Sequence, residues 1–100
     1  PIKTPKLRPD AFHIFHLYVI RASRRDDLAA FLKTKGVFTG IHYPTALPLM
    51  PAYRYLKHRP SDFPVAYACQ DEILSLPMYP ELADEQISYV SDSIKEFYKK

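Results

Sequence analysis

The side chains most able to do chemistry lie in one proline-rich stretch, residues 39–54, which reads TGIHYPTALPLMPAYR. Within it, His42, Tyr43 and Tyr53 each carry a ring nitrogen or a hydroxyl that can hydrogen-bond to a polar ligand. Three prolines within eight positions exclude a regular helix or strand from Tyr43 to Pro51. Because binding groups often lie on irregular loops held by a rigid scaffold, this loop is the first candidate for a binding site.

No second cluster of reactive residues accompanies this loop. The sequence shows no nucleophile–base pair, no glycine-rich phosphate loop and no Cys/His spacing typical of a metal site. His13 and His16 alternate on a predicted strand, so they face opposite sides and cannot share one metal. We predict that His16 is a buried, hydrogen-bonded imidazole and that Cys69 is a small core residue. The residues alone therefore indicate no catalytic centre and no metal site in this chain.

Hydrophobic periodicity predicts the elements that position the loop. Residues 12–22 are apolar on both faces, which is typical of a central strand covered on both sides. The predicted order is β-α-β-α-α-β-α. Strands are expected at 12–22, 37–43 and 73–76, and helices at 23–36, 50–57, after residue 62, and at 84–98. This order predicts an α/β (α+β) two-layer domain, a three-stranded sheet with three to four helices.

Capping residues predict where these helices begin and end. We expect Ser23 to cap the first helix with Asp26 in a capping box, and Gly36 to end it in a left-handed conformation. Proline suits a first helical turn, so Pro51 and Pro64 mark two further helix starts, the second capped by Ser61 or Asp62. The helix at residues 84–98 lacks a capping side chain at Ala83, unless Asp84 replaces it.

The bulk composition excludes several classes of protein. The 100 residues, 47% of them hydrophobic and 25% charged, are those of one globular domain. A net charge of +3 is too small for a dedicated nucleic-acid binder, and no apolar run approaches membrane-spanning length. The single cysteine excludes an internal disulfide and suits a reducing cytoplasm. Residues 1–11 are interpreted as a linker and 12–100 as the domain; a first residue other than Met suggests a fragment of a longer protein.

Three ordered motifs relate the sequence to one family. They are GIHYPxxLxLxPAYR at 40–54, DFPVA at 62–66 and LSLPMxPELxxEQ at 74–86. The chain resembles the C-terminal small domain of the DegT/DnrJ/EryC1/StrS aminotransferases, fold-type I enzymes that depend on pyridoxal 5'-phosphate (PLP) and aminate nucleotide-linked keto sugars. It departs from the family at Pro48, where many members carry a histidine, and at Ala83, where a threonine is usual.

The resemblance implies a function for the parent protein. Glutamate would be the usual amino donor, and the parent would be a cytoplasmic homodimer. The Schiff-base lysine and the bound PLP would belong to the large domain, so the 100 residues alone would be inactive. The small domain would contact the large domain and the second subunit, close the active site, and contribute His42, Tyr43 and Tyr53 as substrate contacts. The local alternative is that the tyrosines simply bury their rings.

Two alternatives remain open from the sequence. A free-standing α/β module could bind single-stranded nucleic acid or a protein partner through its eight tyrosines, although these are scattered along the chain rather than grouped on one strand. A member of the same family that has lost catalysis could instead act as a regulator.

Overall fold

The sheet is built around strand β2, Tyr18–Ala22, in a computed structural model that describes all 100 residues. Strand β1, Ile2–Lys3, pairs antiparallel with one edge of β2, and strand β3, Ile73–Leu76, pairs antiparallel with the other. Side chains alternate along a strand, and Ile20 of β2 lies opposite Leu74 of β3. Both are buried, which identifies the face of the sheet that carries the core.

Two helices cover this face, α1 at Arg25–Thr34 and α3 at Asp84–Lys99. Helix α2, Pro64–Glu72, runs directly into β3, and three short 3-10 helices lie between α1 and α2 at Leu47–Leu49, Pro51–Leu56 and Pro60–Asp62. None of the α-helices has the length and apolar character needed to cross a membrane. The core cluster joins the sheet to α1 and α3 and contains Ile20, Ala22, Leu28, Leu32, Val37, Leu74 and Phe97.

The helix predictions are largely confirmed. Leu28 and Leu32 of α1 are fully buried, as their spacing on one face predicts. Gly36 has a φ of 74°, the left-handed conformation expected just after a helix. Pro51 and Pro64 are the first residues of their helices, although the turns that follow Pro51 are 3-10 rather than α. Proline fixes φ near the helical value and lacks only an N–H that a first turn leaves unpaired, so these starts were predictable.

The first half of the predicted central strand is wrong. Strand β2 begins at Tyr18, and Phe12 and Ile14 are 93% and 81% exposed. A local turn replaces the strand: the Phe15 N–H donates to Nδ1 of His13 over 2.9 Å, and Phe15 has a φ of 48°. His16 is exposed rather than a buried imidazole. A segment that is apolar on both faces therefore forms no strand where no neighbouring strand pairs with it.

The sheet has three strands as predicted, but one of them is not where the sequence placed it. Residues 37–43 contribute only an isolated bridge, between Gly40 and Ser75. The third strand comes instead from Ile2–Lys3, within the segment interpreted as a linker with little to bury. Ile2 is half-buried against the core, and it pairs with Ala22.

The predicted side-chain caps of α1 and α2 are also wrong, whereas α3 lacks a capping side chain as predicted. Arg24, at φ 54°, precedes α1 without a side-chain cap, and Arg24 rather than Ser23 bonds to the first turn, through Asp27. Asp62 accepts the Arg59 N–H over 2.8 Å and so closes a 3-10 turn instead of capping α2. At α3 the Ala83 N–H donates to Oε1 of Gln86, 2.9 Å away, while Asp84 does not take over the cap.

Helix α2 is exposed over much of the apolar face that its spacing predicted to be buried. None of its residues is buried, Val65 is 70% exposed, and Cys69 is half-buried and lies outside the core cluster. Its end is tied to the sheet by an ion pair of 2.7 Å between Arg21 Nε and Glu72 Oε2, and this bond raises the pKa of the Arg21 guanidinium. Helix α2 thus presents an apolar surface that this chain leaves uncovered.

Candidate functional site

The loop at residues 39–46 is held to the sheet by a two-way backbone bridge. The Gly40 N–H donates to the Ser75 carbonyl over 3.0 Å, and the Ser75 N–H donates to the Gly40 carbonyl over 2.7 Å. Ser75 also pairs with Val19 on the other side of β3. Gly40 therefore occupies the outer edge of β3 as a single extended residue, and the chain leaves the sheet immediately after it.

The ring of His42 returns to the same point on the sheet. Its Nδ1 lies 2.7 Å from Oγ of Ser75, whose residue is only 5% exposed. A Cβ added at Gly40 would lie 3.0 Å from Cε1 of His42, so the imidazole rests directly against the glycine backbone. Gly40, His42 and Ser75 together form what we call the His42 seat.

A second anchor holds the far side of the loop. The Ala46 N–H donates to Oε1 of Gln70 on α2 over 2.9 Å, and the Ala46 side chain is buried. The loop is thus attached at His42 and at Ala46, with three residues, Tyr43, Pro44 and Thr45, between the attachments.

Tyr43 lies between these anchors in a costly conformation. Its φ is 68°, in the left-handed region that a bulky residue rarely adopts, and its side chain is 83% exposed. The Tyr43 ring makes no stacking contact, and its hydroxyl makes no hydrogen bond within the chain. The alternative that Tyr43 buries its ring locally is therefore wrong, and so is its placement at the end of a strand.

Tyr53 lies apart from the His42 seat. It belongs to the 3-10 helix Pro51–Leu56 and is 37% exposed, and its N–H donates to the Met50 carbonyl. No hydrogen bond or ring contact joins it to His42 or Tyr43. The structure thus joins His42 to Ser75, with Tyr43 next to His42 in the chain, and no hydrogen bond or ring contact links Tyr53 to them.

His42 and Tyr43 of the loop are exposed. Two grooves lie away from the loop, on the α3 side of the sheet, with volumes of about 560 and 530 Å³. One is lined by Phe38, Tyr79 and Tyr89, and the other by Tyr18, Leu76 and Ile94; neither includes His42, Tyr43 or Tyr53. A ligand bound at the loop would be enclosed only if another part of a larger protein supplied the opposite wall.

No lysine of this chain is buried. A Schiff-base lysine needs a lysine directed into an enclosed site, but every lysine here is exposed except the half-buried Lys35. Lys35 is bonded to Glu96, and Lys95, at the rim of a groove, is paired with Asp92 over 2.9 Å. No group of three or more His, Cys, Asp or Glu side chains could hold a metal ion.

Comparison with known proteins settles the family. The model of the DegT/DnrJ/EryC1/StrS aminotransferase family matches residues 1–95. The chain belongs to this family. The resemblance inferred from the sequence motifs is thereby confirmed, and the match includes residues 1–11 and the domain as far as residue 95.

Curated proteins with different names are similar to this chain. A pleiotropic regulatory protein from Geobacillus stearothermophilus is 45% identical over 98 residues, which is 98% of this chain and 26% of that protein. The dTDP-3-amino-3,4,6-trideoxy-alpha-D-glucose transaminase of Streptomyces venezuelae is 33% identical over 99 residues, 99% of this chain and 26% of the transaminase. The chain therefore spans about a quarter of the length of the curated relatives it matches.

Solved structures of the family share the fold. DesV from S. venezuelae superposes with a TM-score of 0.91 at 33% identity, covering 99% of this chain and 27% of DesV. A DegT/DnrJ/EryC1/StrS aminotransferase from Brucella abortus gives 0.89 at 31% identity, covering 99% and 26%. The α/β prediction, a small sheet domain forming the C-terminal part of such an enzyme, is confirmed.

Sequence reasoning identified His42 and Tyr43 but did not single out Gly40 or Gln70, and it included Ser75 only within the family motif at residues 74–86. One signal pointed to Ser75: it is the single polar residue in the apolar strand Ile73–Leu76. No comparable signal marks Gln70, because its bond to Ala46 joins two residues 24 positions apart.

Proposed function

We propose that this chain is the C-terminal small domain of a PLP-dependent aminotransferase that passes an amino group, from glutamate, to a nucleotide-linked keto sugar. Residues 12–100 would form the domain and 1–11 its connection to the large domain. In this proposal the domain closes over the active site, and His42, Tyr43 and Tyr53 contact the sugar nucleotide. The parent would act as a cytoplasmic homodimer, an assignment consistent with the free Cys69.

The observation that carries this proposal is the backbone conformation of Tyr43. A non-glycine residue in the left-handed region costs about 1–3 kcal/mol, and such residues persist where the surrounding structure holds them for function. Here the His42 seat and the Ala46–Gln70 bond hold the loop, while the exposed ring of Tyr43 gains nothing from packing within the chain. The strain is best explained by a ligand that the ring and hydroxyl contact.

The loop can contribute binding and orientation but no step of catalysis. The Tyr43 hydroxyl can donate to or accept from a sugar hydroxyl, and its ring can lie against the apolar face of a pyranose or a base. PLP, held by the large domain, would supply the chemistry of amino transfer. Closing this loop over the substrate would exclude water and fix the keto carbon relative to the amino group.

The uncovered apolar surface supports the proposed domain contacts. Exposed apolar patches of several hundred Å² on a soluble protein usually mark interfaces. On this chain the large exposed apolar side chains include Phe12, Ile14, Phe38, Leu47, Tyr55 and Val65. The large domain of the same polypeptide and the second subunit are the partners that would cover them.

The test is Tyr43→Phe in the full-length parent, which removes one hydroxyl and keeps the ring. Loss of a neutral hydrogen bond costs about 0.5–1.5 kcal/mol, which lowers kcat/KM for the sugar substrate by about two- to tenfold. The half-reaction with glutamate should change much less. Tyr55→Phe is the matched control, because Tyr55 is a similarly exposed tyrosine outside the loop.

The two half-reactions separate the outcomes. Equal losses in both would move Tyr43 from the sugar to the cofactor, and no loss in either would remove it from the site. No amino transfer to any nucleotide-linked keto sugar by the unmodified parent would contradict the proposed reaction itself.

A regulatory member of the family is the second candidate. The relative with 45% identity is named a pleiotropic regulatory protein, and another with 43% identity is named a sensory transduction protein. Reduction of the PLP-treated parent with borohydride, followed by mass analysis of its peptides, distinguishes the candidates. A parent without a PLP-modified lysine would favour regulation over catalysis.

A further inference from the structure

Ser75 places a hydroxyl where an apolar side chain would be expected. It lies between Leu74 and Leu76 in β3 and is 5% exposed. Alternation along the strand directs Leu74 into the core and Ser75 to the opposite face of the sheet. A buried hydroxyl is unfavourable unless it is hydrogen-bonded, and its one partner is Nδ1 of His42.

The direction of this bond follows from what each group can do. A hydroxyl has one proton to donate, and a buried donor without an acceptor is less well tolerated than a lone pair without a donor. The bridge carbonyls of Gly40 and Ser75 already accept backbone N–H groups, so Nδ1 of His42 is the acceptor available to Oγ of Ser75. If Ser75 donates to Nδ1, the neutral imidazole carries its proton on Nε2.

Gly40 completes this arrangement by its lack of a side chain. A Cβ at this position would lie 3.0 Å from Cε1 and 3.5 Å from Nδ1 of His42, closer than ordinary contact for the first of these. The φ of Gly40 is not in the left-handed region, so the glycine is needed for the close approach of the ring and not for its own conformation. An alanine here would push the imidazole away from Ser75.

We propose that Gly40 and Ser75 are positioning residues that fix His42 in the Nε2–H tautomer, so that Nε2 donates a hydrogen bond to an oxygen of the sugar nucleotide. This inference rests on the proposed function, and it assigns His42 a donor role rather than that of a base. His42 is exposed as a residue, and its side chain is hydrogen-bonded within the chain only through Nδ1, so Nε2 has no partner here.

The kinetic test uses two variants of the full-length parent that disturb the seat differently. Ser75→Ala removes the donor to Nδ1, and Gly40→Ala displaces the ring while keeping the hydroxyl. Each should lower kcat/KM for the sugar nucleotide by about three- to tenfold, mainly through KM, and leave the glutamate half-reaction unchanged. Ser93→Ala is the matched control, because Ser93 is also 5% exposed but lies on α3 and bonds to no histidine.

A spectroscopic readout tests the tautomer without relying on activity. In the parent labelled with ¹⁵N-histidine, the His42 resonances, assigned by their loss in His42→Gln, should show a proton on Nε2 and none on Nδ1. Ser75→Ala should give a mixture of tautomers, whereas Ser93→Ala should leave the spectrum unchanged.

The kinetic test and the spectroscopic test can each contradict the proposal independently of the other. A proton on Nδ1 in the unmodified parent would overturn the donor assignment even if Tyr43→Phe behaves as proposed. Loss of the single tautomer in Ser75→Ala with unchanged sugar kinetics would show that the seat does not serve the substrate. If Ser75→Ala fails to fold, Gly40→Ala still decides the question, since a full-strength sugar half-reaction in that variant would contradict the proposal.

Discussion

Substitutions at Tyr43 should affect the stability of the domain and the sugar activity of the parent in different ways. At φ 68° a side chain with a Cβ costs about 1–2 kcal/mol relative to an unstrained residue. Tyr43→Gly relieves this strain. Glycine is also more flexible in the unfolded chain, and this destabilises the folded state by about 0.5–1 kcal/mol, which offsets part of the gain. Tyr43→Ala removes the same ring, which is 83% exposed and contributes little packing, but keeps the strain.

The difference in stability between these two variants measures the cost of holding a side chain at the positive φ of position 43. We expect Tyr43→Gly to be more stable than Tyr43→Ala by about 0.5–1 kcal/mol, or roughly 2–8 °C in Tm for a domain of this size. Urea and thermal unfolding of the domain, followed by circular dichroism, measure the difference. In the parent, both variants should lose sugar activity to a similar extent, because both lack the ring and the hydroxyl.

Tyr55 supplies the matched control. It is 73% exposed in the 3-10 helix Pro51–Leu56 and does not have a positive φ. At an ordinary helical φ the order reverses, so Tyr55→Gly should be less stable than Tyr55→Ala. If glycine proves worse than alanine at position 43 by the same margin as at position 55, Tyr43 is not strained, and the main support for a ligand-binding role is lost.

Four further outcomes are expected. The 100-residue chain treated with PLP and borohydride should show no stoichiometric adduct on one lysine by intact-mass analysis; a specific adduct would contradict the placement of the cofactor outside this chain. The same chain should self-associate at high concentration through its uncovered apolar surface, which a strict monomer in sedimentation over a wide concentration range would refute. Arg25→Met should destabilise the domain by about 1–3 kcal/mol in urea unfolding, because the 8% exposed Arg25 donates to the Ile73 carbonyl over 2.9 Å, and an equal stability would show that water replaces this bond. The hydrogen bond from Lys35 lowers the pKa of Glu96 in the folded state, so this pair stabilises the domain above the ordinary pKa near 4.5, and the stabilisation is lost as pH falls through the lowered pKa. Glu96→Gln should therefore make the free energy of unfolding fall less steeply with decreasing pH in this acid range, and an unchanged pH dependence would show that Glu96 does not contribute to it.

The helices could be predicted from the sequence because their determinants are local. The spacing of Leu28 and Leu32, and the position of Gly36 after them, specify α1 without reference to any distant residue. Pro51 and Pro64 act through their own rings. These local determinants keep their effect in the folded chain because they do not depend on contacts with distant residues.

The strands could not be placed with the same success, because a strand exists only where another chain segment pairs with it. Ile2 and Lys3 have no pattern of their own, yet they pair with Ala22 and Arg21. Residues 12–17 are largely apolar on both faces but have no partner strand, and they form a turn instead.

The candidate site divides in the same way. His42 and Tyr43 were identified from a local proline-rich pattern and from the family motif. The contact of His42 with Ser75, 33 residues away, depends on the bridge at Gly40, which only the folded structure shows. The strain at Tyr43 could not be predicted either, because a tyrosine rarely adopts a positive φ and its residue type gives no indication of one.

The shortness of the sheet's outer strands has a consequence for aggregation. Unpaired edges of long, flat strands act as templates for fibre growth. Here β1 spans only two residues and is soon followed by Pro5, while the outer edge of β3 is occupied by Gly40 at Ser75 and ends before Pro77. Neither edge offers a run of free backbone groups long enough for a second molecule to extend the sheet. Association of this domain should therefore proceed through side chains alone, and it should reverse on dilution instead of growing into amyloid.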